Sequence, residues 1–255
     1  MIELSNVSMK RDGREILNIE HLSIESDKFT VILGHNGSGK STLLNLLARQ
    51  VDPDKGSISY NGQAIKKLSQ KKLAQEVAFL PQQQPQVAGM NVRELVRLGR
   101  FPWRGTFGRW QQKDAQIIQA AMEQTDVDQY ADHMTDNLSG GEQQRAWIAM
   151  LLAQQSPILM LDEPTSALDL SHQYELMNLL RQLNQQSGRG IIAILHDINL
   201  AARYADRVIA LKQGKLCFDG SPSTLLNHST LTELYGIRIQ LIDHPTLDQP
   251  VAVVA

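Results

Sequence analysis

The sequence is short of cysteine and of long apolar runs, and each shortage excludes a class of protein. The single cysteine, Cys217, excludes an internal disulfide and a metal site built from cysteines alone, which fits a reducing cytoplasm. No run approaches the roughly 18 to 20 apolar residues that a membrane-spanning helix needs, and residues 1–7 lack the basic and apolar regions of a signal peptide. If the chain serves a membrane process, we expect another protein to span the membrane.

The chain also lacks an excess of either charge, since 25 Lys and Arg residues oppose 27 Asp and Glu residues. Proteins that bind nucleic acid usually carry a basic excess, because most of their affinity comes from neutralising phosphates. We therefore expect no nucleic-acid partner. A chain of 255 residues with 42% hydrophobic residues can bury a sizeable core, either in one large domain or in a core that carries an inserted subdomain.

Apolar runs of strand length predict the central part of the fold. Phe29 to Leu33, Ile158 to Leu161 and Ile191 to Leu195 predict buried strands, and residues 174–183 predict a helix between the last two. Strands that alternate with helices predict a parallel sheet in an α/β fold. The residues before Phe29 alternate in the manner of short strands.

Two further segments differ from this pattern. From about Ser69 to Gln154 the sequence is polar and mostly helical, which predicts an inserted helical subdomain with bounds near residues 83 and 154. Residues 226–255 form a tail that we expect to pack on the core. The tail predicts a short helix and two strand-like pieces, Ile237 to Ile242 and Val251 to Val254, to which the pattern assigns no function.

Residues 34–41 match the phosphate-binding loop pattern between a predicted strand and a predicted helix. Glycines in such a loop let consecutive backbone N–H groups turn towards an anion, and the helix N-terminus adds partial positive charge. Lys40 can then reach the β- and γ-phosphates, and the Ser41 hydroxyl can bind Mg²⁺. A chance glycine turn is the alternative, expected in roughly one chain in a hundred of this size. The predicted nucleotide-binding residues here are Gly34, Asn36, Gly37, Ser38, Gly39, Lys40, Ser41 and Thr42.

Two adjacent carboxylates, Asp162 and Glu163, end an apolar strand. Open α/β sheets bind ligands at this carboxyl edge. There Asp162 can hold Mg²⁺ through water, while Glu163 can orient and deprotonate the water that attacks the γ-phosphate. The alternative is that residues 162–165 merely begin a helix with favourable N-terminal charge.

Residues 138–145 read Leu-Ser-Gly-Gly-Glu-Gln-Gln-Arg and are the most discriminating segment. Ser139 with Glu142 three residues later forms a capping box, so a plain helix start is the structural alternative. A cap does not need the two glycines Gly140 and Gly141, however. Glycines and a serine at a helix N-terminus make a second anion-binding site. The chain thus carries two half-sites for phosphate, which suggests that two chains share each nucleotide.

A phosphate loop, a glutamine, Leu-Ser-Gly-Gly, an acid-ending strand and a histidine follow one another in the order of a known family. Over roughly residues 1–225 the chain resembles the ATP-binding-cassette (ABC) ATPases. The resemblance implies an α/β fold with a P-loop NTPase core and parallel sheet, an N-terminal antiparallel β subdomain and an inserted helical subdomain. It also implies the cofactors ATP and Mg²⁺. Gln82, in Phe79-Leu80-Pro81-Gln82, is similar to the loop glutamine that touches Mg²⁺ and links the nucleotide to the helical subdomain.

The resemblance also implies roles for residues that would act across a dimer. Ser139, Gly140 and Gly141 would meet the γ-phosphate of ATP that the opposite subunit holds, and Asp169 would contact the partner chain. His196 resembles the switch histidine that hydrogen-bonds the γ-phosphate and positions the catalytic carboxylate. Outside the family context, a satisfied structural histidine is the alternative for His196.

One family feature, an aromatic residue that stacks on adenine before the phosphate loop, is missing. The corresponding stretch is Met9-Lys10-Arg11-Asp12-Gly13. The planar guanidinium of Arg11 can replace the aromatic ring on the base. Arg11 is otherwise a solvated loop charge, and both interpretations stay open.

Segments at Met90 to Val96 and Gly99 to Gly105 are similar to the helical subdomain of bacterial importers for iron–siderophore complexes, haem and cobalamin. This resemblance implies a peripheral subunit on the cytoplasmic face of the bacterial inner membrane, with ferric hydroxamate as the expected cargo. Its implied partners are transmembrane permease subunits, a second copy arranged head to tail and, indirectly, a periplasmic substrate-binding protein. The run Phe101 to Trp110 would lie near the surface that receives a permease helix, or else would pack as an ordinary connecting loop.

Competing functions are a cobalamin or haem importer, an exporter and an ABC ATPase without a transport role. Soluble translation factors of the family usually carry two cassettes in one chain, whereas this chain carries one. Repair and chromosome ATPases insert a coiled coil or a metal-binding module, and neither heptads nor a cysteine cluster is present. The segment from Met90 to Gly105, which resembles that of importers, is the feature that distinguishes an importer from an exporter.

Overall fold

A computed structural model describes residues 1–85, 87–105, 108–166, 168–246 and 249–255. The strands are β1 (Ile2–Arg11), β2 (Arg14–Ile24), β3 (Phe29–Leu33), β4 (Lys55–Tyr60), β5 (Gln63–Ala64), β6 (Val77–Leu80), β7 (Ile158–Leu161), β8 (Gly190–Ile194), β9 (Arg207–Lys212), β10 (Lys215–Gly220), β11 (Ile239–Ile242) and β12 (Val251–Val254). The α-helices are α1 (Lys40–Leu47), α2 (Gln70–Glu76), α3 (Val92–Leu98), α4 (Phe101–Arg104), α5 (Gln112–Gln124), α6 (Gly140–Gln154), α7 (Leu170–Ser187), α8 (Ile198–Tyr204), α9 (Pro222–Leu225) and α10 (His228–Tyr235).

The largest sheet orders its strands β10, β9, β3, β8, β7 and β6. Every neighbouring pair is parallel except β9 and β10, which pair antiparallel at one edge. All residues of β3, β7 and β8 are buried, as expected for parallel strands that are covered on both faces. The predicted α/β fold with a parallel P-loop NTPase core is confirmed.

The N-terminal segment forms a second sheet, antiparallel, in the order β2, β1, β4 and β5. The prediction of short strands is wrong, because β1 and β2 have 10 and 11 residues. The two strands pair along their length, and Asp12 and Gly13 form the tight turn between them with φ values of +50° and +75°. Positive φ at both positions is typical of a two-residue hairpin turn. The predicted N-terminal antiparallel β subdomain is present.

Strand β6 differs from the expectation that the chain is mostly helical from Ser69 onwards. Val77–Leu80 pairs parallel with β7 and therefore belongs to the core sheet. Four residues are too few for periodicity to distinguish a buried strand from a helical segment. Helices α3, α5 and α6 follow and pack against one another, and the subdomain bounds near residues 83 and 154 stay a prediction.

The two faces of the main sheet bury separate hydrophobic clusters. Successive side chains of β3 alternate between them, so that Ile32 packs with α1 and the antiparallel sheet, whereas Val31 and Leu33 pack with α6, α7 and α8. The phosphate loop, which joins β3 to α1, is therefore carried by two elements that are both buried. Among the described residues, no helix has the length and apolar character that crossing a membrane requires.

Residues 226–255 lie on the second of these clusters. Leu231 and Leu234 of α10 are buried in it, and β11 pairs antiparallel with β12. The Asn199 side chain of α8 donates to the backbone oxygen of Ala252 at 3.1 Å and accepts from its backbone nitrogen at 2.8 Å. The tail thus returns to the helix that follows β8.

A buried ion pair fixes α4 to α5. Arg100 and Asp114 are each 5% exposed, and Arg100 Nε lies 2.9 Å from Asp114 Oδ1. Burial by itself raises the pKa of Asp114, but hydrogen bonds from Arg100 and the backbone of Gln111, with the charge of Arg104, outweigh it and hold the pKa below its usual value. Arg100 also donates to the carbonyl oxygen of Ala153 at 2.8 Å, which joins the pair to α6.

We expect Asp114→Ala to lower the free energy of unfolding by about 3 kcal/mol, because it leaves the Arg100 charge buried without its partner. Urea unfolding of the variant and of the wild type measures this difference. Lys113→Ala, at the exposed neighbouring position, serves as the control and should change stability by less than about 0.5 kcal/mol. An unchanged unfolding midpoint for Asp114→Ala would show that the pair does not stabilise the fold.

Candidate active site

Four neighbouring parallel strands end at the same edge of the main sheet. Their order in space is β6, β7, β8 and β3, and each is followed by a segment that the sequence marks as a site. Gln82 follows β6, Asp162 and Glu163 follow β7, His196 follows β8, and the phosphate loop follows β3. Residues that are far apart in the chain therefore lie next to one another along this edge of the sheet.

Two glycines of the phosphate loop adopt conformations that other residues rarely take. Gly34 has φ of +146° and Gly39 has φ of +100°. A Cβ atom at Gly39 would lie 2.9 Å from the carbonyl oxygen of Ile16, and one at Gly34 would overlap the carbonyl oxygen of Leu211. The local shape of the loop therefore requires glycine at both positions. Asn36 and Gly37 are exposed at its tip, whereas Ser38 is buried.

Lys40 lies under this loop and is 5% exposed. Its ammonium group donates to the carbonyl oxygens of Gly34 at 2.9 Å and His35 at 3.1 Å. Burial lowers the pKa of Lys40, although the charges of Glu163 and Asp162 act in the opposite direction. A negative group bound at the loop would favour the charged form of this lysine.

Ser41 and Asp162 meet beneath the loop. The Ser41 hydroxyl donates to Asp162 Oδ1 at 3.1 Å, and Asp162 is 6% exposed. Burial raises the pKa of Asp162, the Ser41 hydrogen bond lowers it and the charge of Glu163 raises it, with a net upward shift. A hydroxyl and a carboxylate are oxygen ligands of the kind that Mg²⁺ takes.

Both carboxylate oxygens of Glu163 have a polar side chain in contact. Gln82 Nε2 donates to Oε2 at 2.6 Å, and His196 Nε2 lies 2.6 Å from Oε1. Glu163 itself has φ of +51°, a left-handed conformation that is uncommon for a residue with a side chain and often occurs at functional sites. Three residues predicted to act together are thus in direct contact.

The Leu-Ser-Gly-Gly segment begins α6, and its capping box is present. Ser139 Oγ accepts from the Glu142 backbone at 3.4 Å, and Glu142 accepts from the Ser139 backbone at 2.8 Å. Gly141 faces His172 of α7, whose ring would lie 3.0 Å from a Cβ added there. His172 is held in turn by Asp169, 2.7 Å from its Nδ1. The structure therefore connects Asp169 to the glycines of this segment; Ala167, in the loop before Asp169, lies outside the described residues.

The two phosphate half-sites open into separate depressions in one chain. A cavity of about 540 Å³ is lined by Gly140 together with Gln82, Asp162 and Glu163. A second depression of about 190 Å³ is lined by Arg11 with Met9, Ile16, Ser41, Thr42, Asn45 and Val51. The two share no lining residue. Arg11 is thus exposed beside the phosphate loop, at the position from which a base could be contacted.

Several contacts at the site were not anticipated from the sequence. Gln84 donates to Gln144 of α6 at 2.5 Å, which joins the glutamine loop to the Leu-Ser-Gly-Gly helix. His35 of the phosphate loop contacts Tyr235 of the tail. The partners lie 60 and 200 residues apart in the chain, and no local pattern in the sequence marks them.

A protein-family model described as ABC transporter matches residues 17–166. Among curated proteins, the chain is 41% identical over 236 residues to the ferric enterobactin transport ATP-binding protein FepC of Escherichia coli (strain K12), covering 92% of this chain and 87% of that protein. It is 40% identical over 240 residues to the iron(3+)-hydroxamate import ATP-binding protein FhuC of Bacillus subtilis (strain 168), covering 94% and 89%.

Solved structures show the same similarity. A metal-chelate type ABC transporter in an inward-facing conformation matches with a TM-score of 0.86 and 25% identity, covering 100% of this chain and 97% of that chain. The ATP-binding cassette MJ0796, a dimer in a post-hydrolysis state bound to ADP and Pi, matches with a TM-score of 0.76 and 30% identity, covering 87% and 99%.

Proposed function

This chain belongs to the ABC transporter family as an ATP-hydrolysing subunit, and from that premise we propose that it powers import of an iron(III)–siderophore complex through a membrane partner. The observation that carries the proposal is the contact of Gln82 and His196 with Glu163, at the strand end beside the phosphate loop. An NTPase needs a positioned base at this point. The similarity to siderophore transport subunits over most of the chain supports the choice of cargo.

The proposed roles follow from the geometry of the site. The phosphate loop and Lys40 hold the β- and γ-phosphates of ATP. Glu163 orients the attacking water and accepts its proton. His196 and Gln82 each contact one Glu163 oxygen, and the bound γ-phosphate competes for His196, so that the histidine links Glu163 to the nucleotide. Arg11, exposed beside Ser41 and Thr42, is placed to cover the adenine.

Mg²⁺ is the proposed metal. Ser41 and Asp162 offer adjacent oxygen atoms, and Gln82 turns its amide nitrogen to Glu163, which leaves its amide oxygen as a further ligand. This donor set suits Mg²⁺, which keeps several waters and binds through one or two protein ligands and the substrate phosphates. When bound, the ion neutralises charge that develops on the transferring phosphoryl group.

A second copy of this chain is proposed to complete each ATP site. In one chain the Leu-Ser-Gly-Gly segment and the phosphate loop border different depressions, although both are built to receive phosphate. A head-to-tail pair would place Ser139, Gly140 and Gly141 of one copy against the γ-phosphate that the other copy holds. Asp169 would then contact the partner chain, since its link through His172 keeps it beside Gly141.

An apolar groove beside α3 and α4 is the proposed docking surface for a permease helix. It has a volume of about 540 Å³, and Leu98, Phe101 and Trp110 on its lining are 45%, 59% and 41% exposed. Arg97 lies 3.9 Å from the Trp110 ring on the lining of this groove, so the occupant we propose is an amphipathic helix with an acidic side chain for this arginine.

Other residues of this run have a structural role. Trp103 Nε1 donates to the carbonyl oxygen of Gln154 at 2.6 Å, and Arg104 pairs with Asp114 at 3.5 Å. Thr106 and Phe107 lie outside the described residues. In this proposal the run Phe101 to Trp110 serves two purposes. Phe101 and Trp110 line the docking groove, whereas Trp103 and Arg104 pack within the protein as part of a connecting segment.

The chain is proposed to act at the cytoplasmic face of the bacterial inner membrane, with a periplasmic substrate-binding protein as an indirect partner. Ferric hydroxamate is the first cargo to test. Relatives named for a ferric enterobactin system and for an iron(3+)-hydroxamate system have nearly equal identity to this chain, so the cargo class is better supported than the individual siderophore.

We expect Glu163→Gln to bind ATP normally and to lower kcat by at least about a hundredfold, because an amide cannot accept the proton of the attacking water. Steady-state phosphate release and equilibrium ATP binding measure the two properties separately. The matched control is Glu175→Gln, an exposed carboxylate on α7, which should hydrolyse ATP at the wild-type rate. Phosphate release by Glu163→Gln at the wild-type rate would exclude Glu163 as the base.

The import proposal is tested by co-expression with the transmembrane subunits of a siderophore importer from the same cell, followed by uptake of ferric hydroxamate, ferric catecholate, haem and cobalamin. We expect ATP-dependent uptake of a ferric siderophore, and its loss in Phe101→Asp, because a carboxylate in the apolar groove would repel the permease helix. The Phe101→Asp subunit should still bind and hydrolyse ATP when it is purified alone.

Met134→Asp is the control for this substitution, since Met134 is 48% exposed and does not line the groove. Its uptake should match the wild type. Transport of haem or cobalamin alone would contradict the siderophore cargo, and transport of none of the four would contradict the import function. Full uptake by Phe101→Asp would exclude the groove as the docking surface.

A further inference from the structure

The C-terminal tail touches the phosphate loop from outside. His35 Nε2 lies 3.1 Å from the backbone carbonyl oxygen of Tyr235, and the two rings meet edge to face with centroids 5.3 Å apart. A carbonyl oxygen can only accept, so His35 Nε2 carries the proton in this contact. The imidazole thus stands between the loop and the last turn of α10.

The backbone of His35 takes part in hydrogen bonds within the phosphate loop. Its backbone carbonyl oxygen accepts from Lys40 Nζ at 3.1 Å and from the Ser38 backbone at 3.1 Å. The side chain is therefore fixed to the tail, and the backbone of the same residue is fixed to the lysine that receives phosphate. A displacement of the His35 side chain moves a carbonyl group that holds Lys40.

The tail is rigid enough to serve as an anchor at this point. Leu231 and Leu234 of α10 are 0% and 2% exposed, and Lys212 of β9 donates to the carbonyl oxygen of Glu233. The helix that presents Tyr235 is thus fixed both to the hydrophobic cluster and to a strand of the main sheet. Because α10 cannot shift freely, its contact with His35 restrains the loop.

The other end of the tail is attached to the switch segment. Asn199 and Ala252 exchange two hydrogen bonds, at 3.1 Å and 2.8 Å, and Gln249 donates to the carbonyl oxygen of Ala202 at 3.1 Å. Both contacts are made to α8, which begins two residues after His196. One segment of the chain therefore touches both the phosphate loop and the helix that follows His196.

The Tyr235 side chain lies between these two attachments. Its hydroxyl is buried and has no hydrogen-bond partner within the part of the chain that the structure describes. Burial raises the pKa of Tyr235, and the nearby charge of Asp197 raises it further. Asp197 is the residue after His196.

We propose that the described part of the tail, residues 227–246 and 249–255, acts as a brace, in which His35 and Tyr235 are positioning residues that hold the phosphate loop in its nucleotide-binding shape and connect it to α8. This inference concerns ATP binding alone and does not depend on the cargo or on the permease. It assigns a role to a segment in which the sequence pattern indicates none. Since one end of the brace contacts the phosphate loop and the other contacts α8, a change at one end is transmitted to the other.

The test compares His35→Ala with His35→Gln in the full chain, by equilibrium binding of a non-hydrolysable ATP analogue and by steady-state hydrolysis. Loss of one hydrogen bond and one ring contact should weaken binding about three- to tenfold. The value of kcat at saturating ATP should stay within about twofold, because the loop is reordered once nucleotide is bound. The glutamine amide can donate to the same carbonyl oxygen and should restore part of the affinity.

Hydrogen exchange of the nucleotide-free protein provides the second measurement. We expect faster exchange in residues 34–41 for His35→Ala, and also for Asn199→Ala, which removes both hydrogen bonds to Ala252 at the far attachment and leaves the bond from Gln249 in place. His21→Ala, an exposed histidine on β2, is the control and should leave both binding and exchange unchanged.

The brace is excluded if His35→Ala binds the analogue with wild-type affinity, even where its melting temperature falls, because that pattern indicates packing alone. It is equally excluded if Asn199→Ala speeds exchange only in residues 249–255 and leaves residues 34–41 unchanged. If His35→Ala and Asn199→Ala are combined in one protein, losses of ATP-analogue affinity that do not add would support a single connected element.

Discussion

Glu163 contacts both Gln82 and His196 because the strands that precede these three residues are neighbours in one parallel sheet. The sheet thereby sets the distances of the site, and short loops need only turn each side chain towards the middle strand. The Gln82 amide and the His196 ring each contact one carboxylate oxygen, and the lone pairs that remain on these oxygens can still accept from a water molecule. In the proposed function, the γ-phosphate of bound ATP would compete for His196, so that hydrolysis would depend on a correctly seated γ-phosphate.

Burial acts on the charged groups around this carboxylate in opposite directions. It lowers the pKa of Lys40 and raises that of Asp162, so each charged form is disfavoured by the same cause. Triphosphate provides the negative charge that Lys40 needs, and the proposed Mg²⁺ provides the positive charge for Asp162. Binding of the two together is therefore expected to be cooperative, since each removes a cost that burial imposes. The chain contributes an arrangement of charges that is complementary to a magnesium nucleotide.

Physical reasoning from the sequence predicted those parts of the site that are local in the chain. The phosphate loop and the pair Asp162 and Glu163 follow apolar strands, where residue type and position indicate chemistry together. Gln82 and His196 came from family resemblance, because a single glutamine or histidine carries no local signal. Strand β6 was missed since four apolar residues have no decisive period. The contact of Gly141 with His172 and that of His35 with Tyr235 depend on packing between distant segments, which no local pattern encodes.

The central claim is that one chain holds two half-sites and that a second chain completes each of them. Replacing Cys217 with serine gives a cysteine-free background, in which one tagged chain carries Asn36→Cys at the loop tip and a differently tagged chain carries Ser139→Cys. Mixing the two and oxidising them with ATP or with ADP measures the contact between chains directly, because neither chain can link these positions within itself. A disulfide that joins one chain of each kind in ATP but not in ADP is the predicted result. Absence of that disulfide in ATP, or equal yields with both nucleotides, would contradict the shared site.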